Sequence, residues 1–270
     1  MILFPPSKLN LGLQIIAKRN DGYHNLQTVF YQFPLNDVLE ILKDASLGHG
    51  TCKFSSTGLL IPSGQNLCEK AYFLLHKDFN LPGVKIFLHK IIPMGAGLGG
   101  GSSDAAYALR ILNSLFDLKI SSNKLMEYAL ELGSDCPLFI QDYPQYATGR
   151  GEVLEEVSVD LKGIYLLIIN PNIHISTKEA FAEIQASQTE PCKHIVLQDI
   201  STWKENLSND FEDSVFPKHV VLKELKSKLY DLGADYAAMS GSGSTLFGLF
   251  TEEPKLDSFP KDYFVWMNKL

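Results

Sequence analysis

Several features that would narrow a function are scarce or missing in this sequence. Its four cysteines, Cys52, Cys68, Cys136 and Cys192, form no CxxC pair and no Cys/His run at zinc spacing. That excludes a zinc-finger or disulfide framework and leaves them as buried or idle thiols. No uncharged apolar run reaches the ~18 residues of a membrane-spanning helix. The opening stretch MILFPPSKLN lacks a basic region followed by a long apolar core and a small-residue cleavage site, so secretion is not expected and the cytoplasm is the expected address. A basic excess is missing as well. The 24 Lys and Arg stand against 31 Asp and Glu, a formal net charge of -7, which argues against a general nucleic-acid surface. Internal repeats, low-complexity tracts and obvious linkers are also absent. The expected partner is therefore a small molecule, with no nucleic acid and no membrane, and the chain is expected as a monomer or weak homodimer.

What remains is ordinary globular material. The 270 residues, 45% hydrophobic and 20% charged, suffice for one large domain or two small ones sharing a cleft. LNLGLQIIA (9–17) and DVLEILKD (37–44) read as strands, with the polar AKRNDGYHNLQ between the first of them and TVFYQF. NLCEKAYFLLHKDFN (66–80) has apolar residues at helical spacing with Asn66 placed to cap it. VKIFLHKII (84–92) alternates like a half-buried strand. A helix is expected from near Asp104 to Phe116, and a second over SSNKLMEYALELG (121–133), stopped at Gly133. KGIYLLIINP (162–171) reads as a buried strand, VVLKELKSKLYDLG (220–233) as a helix, and ADYAAMSGSGSTLFGLF (234–250) as strand, glycine turn, strand. Segment 187–216 is polar and shows no usable period. Strands and helices alternate irregularly, so the expected class is α+β.

The chemistry concentrates in PMGAGLGGGSSDAAYALRIL (93–112), where five glycines and two serines fall between Gly95 and Ser103. Gly95-x-Gly97-x-x-Gly100 satisfies the dinucleotide fingerprint literally. The following DLKISS leads into another helix, however, and not into a buried parallel strand with an acidic end. No Gly-Lys-Ser/Thr completes a Walker A loop, and no GxSxG elbow is present. A flexible linker does not sit between a tight strand and a well-formed helix, and ordered glycine needs a compensating role. The surviving reading is an anion-binding loop: converging main-chain N–H groups, the hydroxyls of Ser102 and Ser103, and the positive end of the following helix. Its ligand should be a polyphosphate.

PMGAGLGGGSSDAA resembles the central phosphate-loop motif of the GHMP kinases, the superfamily of galactokinase, homoserine kinase, mevalonate kinase and phosphomevalonate kinase. The resemblance extends through PPSKLNLGL, RNDGYHNLQTVF, ELGSDCPLFI, ATGRGE, NPNIHIST and MSGSGSTLFGLF, in order and over nearly the whole chain. It implies two α+β domains, expected at 1–155 and 156–270, the first like the second domain of ribosomal protein S5 and the second ferredoxin-like, with ATP and substrate meeting in the cleft between them. The N-terminal motifs point to one branch of the superfamily. It transfers phosphate from ATP to the 2-hydroxyl of a diphosphocytidyl methylerythritol, giving the 2-phosphate and ADP in non-mevalonate isoprenoid precursor synthesis. Homoserine kinase would share the loop but not DGYHNLQTVF.

By the same resemblance Asp135 is the expected base and Lys8 its partner, both catalytic. By residue type alone the commoner reading is Asp135 as an ordinary cap after Gly133, and Lys8 as a solvated lysine. ATP is expected on Asn66, Lys90, Pro93, Met94, Gly95, Ala96, Gly97, Leu98, Gly99, Gly100, Gly101, Ser102 and Ser103, with Lys90 near the adenine and Mg²⁺ carried by the nucleotide near Ser102 or Ser103. A surface or capping role stays open for Lys90 and Asn66. The substrate is expected on Asn10, Tyr23, His24, Phe30, Asp135, Thr177 and Phe181, the aromatics stacking on the cytosine and His24 bonding its edge. The alternative for Tyr23, Phe30 and Phe181 is a place in the core. Ser240 to Ser244 matches the superfamily's third motif, and a plain hairpin turn is its alternative. The chain departs from the family pattern at Ser7, where alanine is usual, at Ser134 and Cys136 inside a usual GADVP, and at Arg150 in a usual GIGE.

Overall fold

Strand β1 (Ile2–Leu3), β4 (Val38–Lys43), β6 (Val84–Lys90) and β5 (Cys52–Gly58) form a sheet in the order β1-β4-β6-β5. Period-2 alternation makes this possible. Leu39, Ile41, Val84, Ile86 and Leu88 are buried, while Leu42 and Phe87 on the other face are exposed. β4 runs antiparallel to β6, with Ile41 opposite Ile86, and β5 lies parallel to β6. The coordinates are a computed structural model that describes residues 1–62, 64–182, 184, 186, 190–256 and 258–270. The sheet belongs to one of two compact units: Met1–Ser7, Pro34–Met94 and Gly99–Asp142. The other comprises Lys8–Phe33, Gly95–Leu98 and Tyr143–Leu270. These units are discontinuous in sequence, because the chain changes unit inside strands and inside the glycine loop.

Three helices complete the first unit. Helix α1 (Leu67–Phe79) buries Cys68, Ala71, Tyr72 and Leu75, the spacing of one helical face. It opens on a capping box in which Asn66 Oδ1 accepts from the Cys68 N–H at 2.8 Å and Glu69 Oε2 accepts from the Asn66 N–H at 2.9 Å. Asn66→Ala should therefore cost about 1 kcal/mol of stability. A melting temperature indistinguishable from that of the unaltered chain would contradict that.

Helix α2 (Gly100–Leu115) starts four residues before the expected Asp104. Glycine reads as a helix breaker, yet here Gly100 is needed for close packing. A Cβ on it would lie 2.8 Å from Ile92 Cγ2 and 2.9 Å from Lys90 Nζ. Gly101, Ser102 and Ser103 thus belong to the first helical turn. Helix α3 (Ser122–Leu132) is capped by Ser121 and ends at Gly133 as expected, and a 3₁₀ turn, Pro137–Ile140, follows.

β2 (Pro6–Lys18), β3 (His24–Asn36), β7 (Gln145–Thr148) and β8 (Val153–Glu156) form a sheet in that order, most of which lies in the second unit. The turn between β2 and β3 is only residues 19–23, closed by Arg19 N–H to Tyr23 O at 2.8 Å. The polar residues that read as loop continue the strand because their amides pair inside. Gln27 Nε2 donates to Gln14 Oε1 at 2.7 Å, and Cys192 N–H donates to the same oxygen at 2.9 Å. The second sheet, β10 (Tyr236–Met239), β11 (Leu246–Phe250), β9 (Tyr165–Asn170) and β12 (Phe264–Lys269), is antiparallel throughout. It shares a core with Leu222, Leu225 and Leu229. Those three leucines come from α8 (Val220–Asp231).

Segment 187–216 lacks a period because its helices are too short to show one. Residues 187–189 lie outside the described residues. The remainder includes α5 (Cys192–Ile195), a 3₁₀ turn, Ile200–Thr202, α6 (Trp203–Asn206) and α7 (Phe211–Val215), the three α-helices each of four or five residues and anchored by buried Ile195, Trp203 and Phe211. A further short helix, α4 (Thr177–Ala180), precedes them.

Candidate active site

The glycine loop leaves β6 at Lys90, and Asp37 fixes its exit. Asp37 Oδ1 accepts the main-chain N–H groups of Ile91 at 2.6 Å and Ile92 at 2.9 Å. Gly95, Gly97 and Gly99 then take φ of 61°, 80° and 71°, the left-handed region that glycine enters without penalty. At Gly97 a side chain is excluded twice over, since a Cβ would also lie 1.9 Å from the carbonyl oxygen of Ser240.

Alternation along β2 places Lys8 and Asn10 on one face. Lys8 is 3% exposed. Its Nζ donates to Asn10 Oδ1 at 2.7 Å and to Gly97 O at 2.8 Å, and its main-chain N–H donates to Leu98 O at 3.0 Å. Asn10 Nδ2 donates to Thr28 Oγ1 at 3.0 Å, and that hydroxyl donates to Gly12 O. Gly97 O also accepts from Ser240 Oγ at 2.9 Å. Within this unit, Lys8, Asn10, residues 95–98 and the 240–244 turn therefore form one hydrogen-bonded assembly. Sequence reasoning missed Thr28, whose only signal is its place two residues before Phe30 on β3.

In the first unit, residues 99–103 form the opening of α2, where the main-chain N–H groups up to Ser102 lack intrahelical partners and that of Ser103 donates to Gly99 O at 2.9 Å. Beneath them lies a buried group. The ammonium of Lys90, 2% exposed, bonds to Asp37 Oδ2 and to Asp104 Oδ2, the latter at 2.7 Å. Burial pushes the Asp104 carboxyl up to about 7, against the pull of Lys90 and with the help of Asp37. For Lys90 itself burial works downward, but the two carboxylates outweigh it and its pKa is raised. Lys90 thus braces the start of α2 from inside. Neither Asp37 nor Asp104 was marked by sequence, since each reads as a residue at the edge of an element. Among the described residues Asp104 Oδ1 and Ser103 Oγ have no hydrogen-bond partner.

Asp135 is half-buried in the turn between α3 and the 3₁₀ helix. The turn is held by Cys136 N–H to Gly133 O at 3.1 Å. The Cys136 thiol is buried and its pKa is pushed up to about 12 by that burial; a hydrogen bond with Ser102 opposes the rise and the charge of Asp135 adds to it. The thiol stays protonated at neutral pH and ties the Asp135 turn to the first turn of α2.

The aromatic residues divide. Phe30 is 4% exposed, with Lys8 Nζ 5.4 Å from its ring centroid, so most of its surface belongs to the core. Phe181 stacks on His24 at 4.8 Å and meets Phe211 edge-on at 4.7 Å. Tyr23 is 56% exposed and carries the Arg150 guanidinium 4.9 Å from its ring centroid. Thr177 is exposed at the start of α4. Pro93 is buried beside the loop and Met94 is exposed.

Residues 66–143 match the GHMP kinases N terminal domain, and residues 185–259 match the GHMP kinases C terminal domain. With the glycine loop and its lysine in place, the chain belongs to the GHMP kinases and has their α+β fold. It is 50% identical over 262 residues to a 4-diphosphocytidyl-2-C-methyl-D-erythritol kinase of Bacteroides fragilis, covering 95% of this chain and 94% of that one. The crystal structure of a 4-(cytidine 5'-diphospho)-2C-methyl-D-erythritol kinase superposes with a TM-score of 0.80 at 32% identity, covering 92% and 90%. A homoserine kinase from Cytophaga hutchinsonii shares the fold alone, with a TM-score of 0.61 at 16% identity over 92% and 86%. Within the family, the chain groups with the 4-diphosphocytidyl-2-C-methyl-D-erythritol kinases.

Proposed function

We propose that the chain transfers the γ-phosphoryl group of ATP to the 2-hydroxyl of 4-diphosphocytidyl-2-C-methyl-D-erythritol, giving the 2-phosphate and ADP, in the non-mevalonate synthesis of isoprenoid precursors. The observation that carries this reading is the buried ammonium of Lys8 on the carbonyl of Gly97, in a chain half identical to a named kinase of this substrate. Asp135 would take the proton of the attacking hydroxyl as its oxygen bonds the γ-phosphorus and the bond to the ADP oxygen breaks. Lys8 would neutralise charge on the transferred group. Residues 93–103 would receive the phosphates, with Asn66 and Lys90 shaping their surroundings.

Among the described residues no group of three or more His, Cys, Asp or Glu could hold a metal ion; a Mg²⁺ would be carried on the nucleotide's phosphates. Bound there, Mg²⁺ supplies charge neutralisation. Ser102 is the half-exposed hydroxyl that would face it. No helix of the described residues is long and apolar enough to cross a membrane, and we place the enzyme in the cytoplasm. The boundary between its two family domains is proposed near residue 155.

The test is ADP release with the diphosphocytidyl substrate beside homoserine and mevalonate. Turnover should be confined to the first, and comparable turnover of homoserine would overturn the assignment. For the cytidine end, Tyr23 offers the cleaner variant. Tyr23→Ala should weaken binding of the diphosphocytidyl substrate and of CDP by about 1–3 kcal/mol, the worth of one stacked ring, with ATP affinity and melting temperature unchanged. Phe181→Ala should lose cytidine affinity and stability together, because Phe181 packs against the core through Phe211. Equal losses for ATP and CDP in Tyr23→Ala would place the pocket elsewhere.

A further inference from the structure

One buried amide outside the residues assigned above joins the pieces that hold Lys8. Asn209 is 2% exposed. Its Nδ2 donates to Met239 O at 2.6 Å and to Gly241 O at 2.8 Å, while its Oδ1 accepts the Phe211 N–H at 3.0 Å. Both amide hydrogens are therefore committed, one to the end of β10 and one to the glycine turn that follows it.

The backbone on either side of Asn209 is fixed to β2, the strand that carries Lys8. Leu13 N–H donates to Ser208 O at 2.9 Å, Asp210 N–H to Leu13 O at 2.8 Å, and Ile15 N–H to Asp210 Oδ2 at 2.8 Å. Asn209 thus links β2 to the 239–241 turn at a fixed separation.

That turn in turn sets the surroundings of the ammonium. Ser240 Oγ donates to Gly97 O, the same carbonyl that accepts from Lys8 Nζ. The backbone of Gly241 passes so close that a Cβ there would lie 3.4 Å from both Asn10 Oδ1 and Lys8 Nζ. Without Asn209 the carbonyls of Met239 and Gly241 lose their buried donors, and the turn is free to relax away from Gly97.

We infer that Asn209 is a positioning residue for catalysis, which holds the Lys8 ammonium in register by clamping the Met239–Gly241 turn onto β2. The inference rests on the role of Lys8 proposed above. Sequence gave no hint of it, since Asn209 lies in the aperiodic segment between short helices. A displaced catalytic group costs turnover more than binding.

The test is steady-state kinetics of the full chain with ATP and the diphosphocytidyl substrate, in Asn209→Ala, Lys8→Met and the double variant. Asn209→Ala should lower kcat about 10- to 100-fold, with KM for either substrate changed by less than about threefold. On the Lys8→Met background the same substitution should change kcat by less than about twofold, because the group it positions is gone. A residue that merely ties the fold together would act equally on both backgrounds, and that result would overturn the inference. So would a kcat for Asn209→Ala within about twofold of the unaltered chain. If the alanine variant does not fold, Asn209→Ser, which keeps a donor for one carbonyl, is judged by the same two comparisons. Normal turnover in Lys8→Met would remove the underlying reading and the inference with it. Impaired Lys8→Met beside an unaffected Asn209 variant would remove the inference alone.

Discussion

Asp135→Asn should leave nucleotide binding intact and lower turnover by about 10²–10⁴-fold, the range of a general base. The substitution preserves shape and removes the ability to accept a proton. Its surroundings should survive, because the turn is held by the main-chain bond from Cys136 to Gly133 and by the buried Cys136 side chain. The readout is single-turnover phosphoryl transfer beside calorimetric ATP affinity. A variant that turns over at a near-normal rate would refute Asp135 as the base. One that loses ATP affinity in step with rate would make it a binding residue.

The second large effect is expected at Gly97. Gly97→Ala should weaken ATP binding by about 100-fold or more, a loss on the order of 3 kcal/mol. Two costs combine. The φ of 80° strains any L residue by about 1–2 kcal/mol, and the new Cβ would stand 1.9 Å from Ser240 O. The second contact is with main chain, so the loop must move off the turn, and the carbonyl that receives Lys8 and Ser240 moves with it. Gly151→Ala is the control for strain alone, having φ of 106° but nothing within 4 Å of the added atom. ATP titration calorimetry on folded protein decides between them. Equal affinities in the two variants would show that close approach at Gly97 has no part in phosphate binding.

The contrast between these two glycines explains what could and could not be read in advance. The excess of glycine between Gly95 and Ser103 is itself a signal, because unordered glycine is costly to order, and the flanking strand and helix have strong periods of their own. Helix α1 was legible to its capping residue, since Asn66 and Glu69 stand three apart ahead of an apolar stripe. The start of α2 was not. Gly100 and Gly101 look like breakers until the side chains of Ile92 and Lys90 are seen against them. Lys90 shows the same limit. Its match to a nucleotide-side position was visible in sequence, but its two carboxylate partners come from residues 53 positions before it and 14 after it.

Local features, then, were determined by the sequence itself: the glycine loop, Lys8 and Asp135 in the motifs that resemble the family's, and the helices and strands whose apolar periods span two turns or a full pleat. Such signals need only neighbours along the chain. Tertiary structure alone decided which side chains those motifs meet. It buried Phe30, stacked His24 on Phe181 and left Tyr23 exposed under Arg150. It also brought Asn209 onto a turn 30 residues away. Those outcomes depend on contacts between distant segments, and a buried amide or carboxylate reveals its role only when the donors and acceptors that surround it are known.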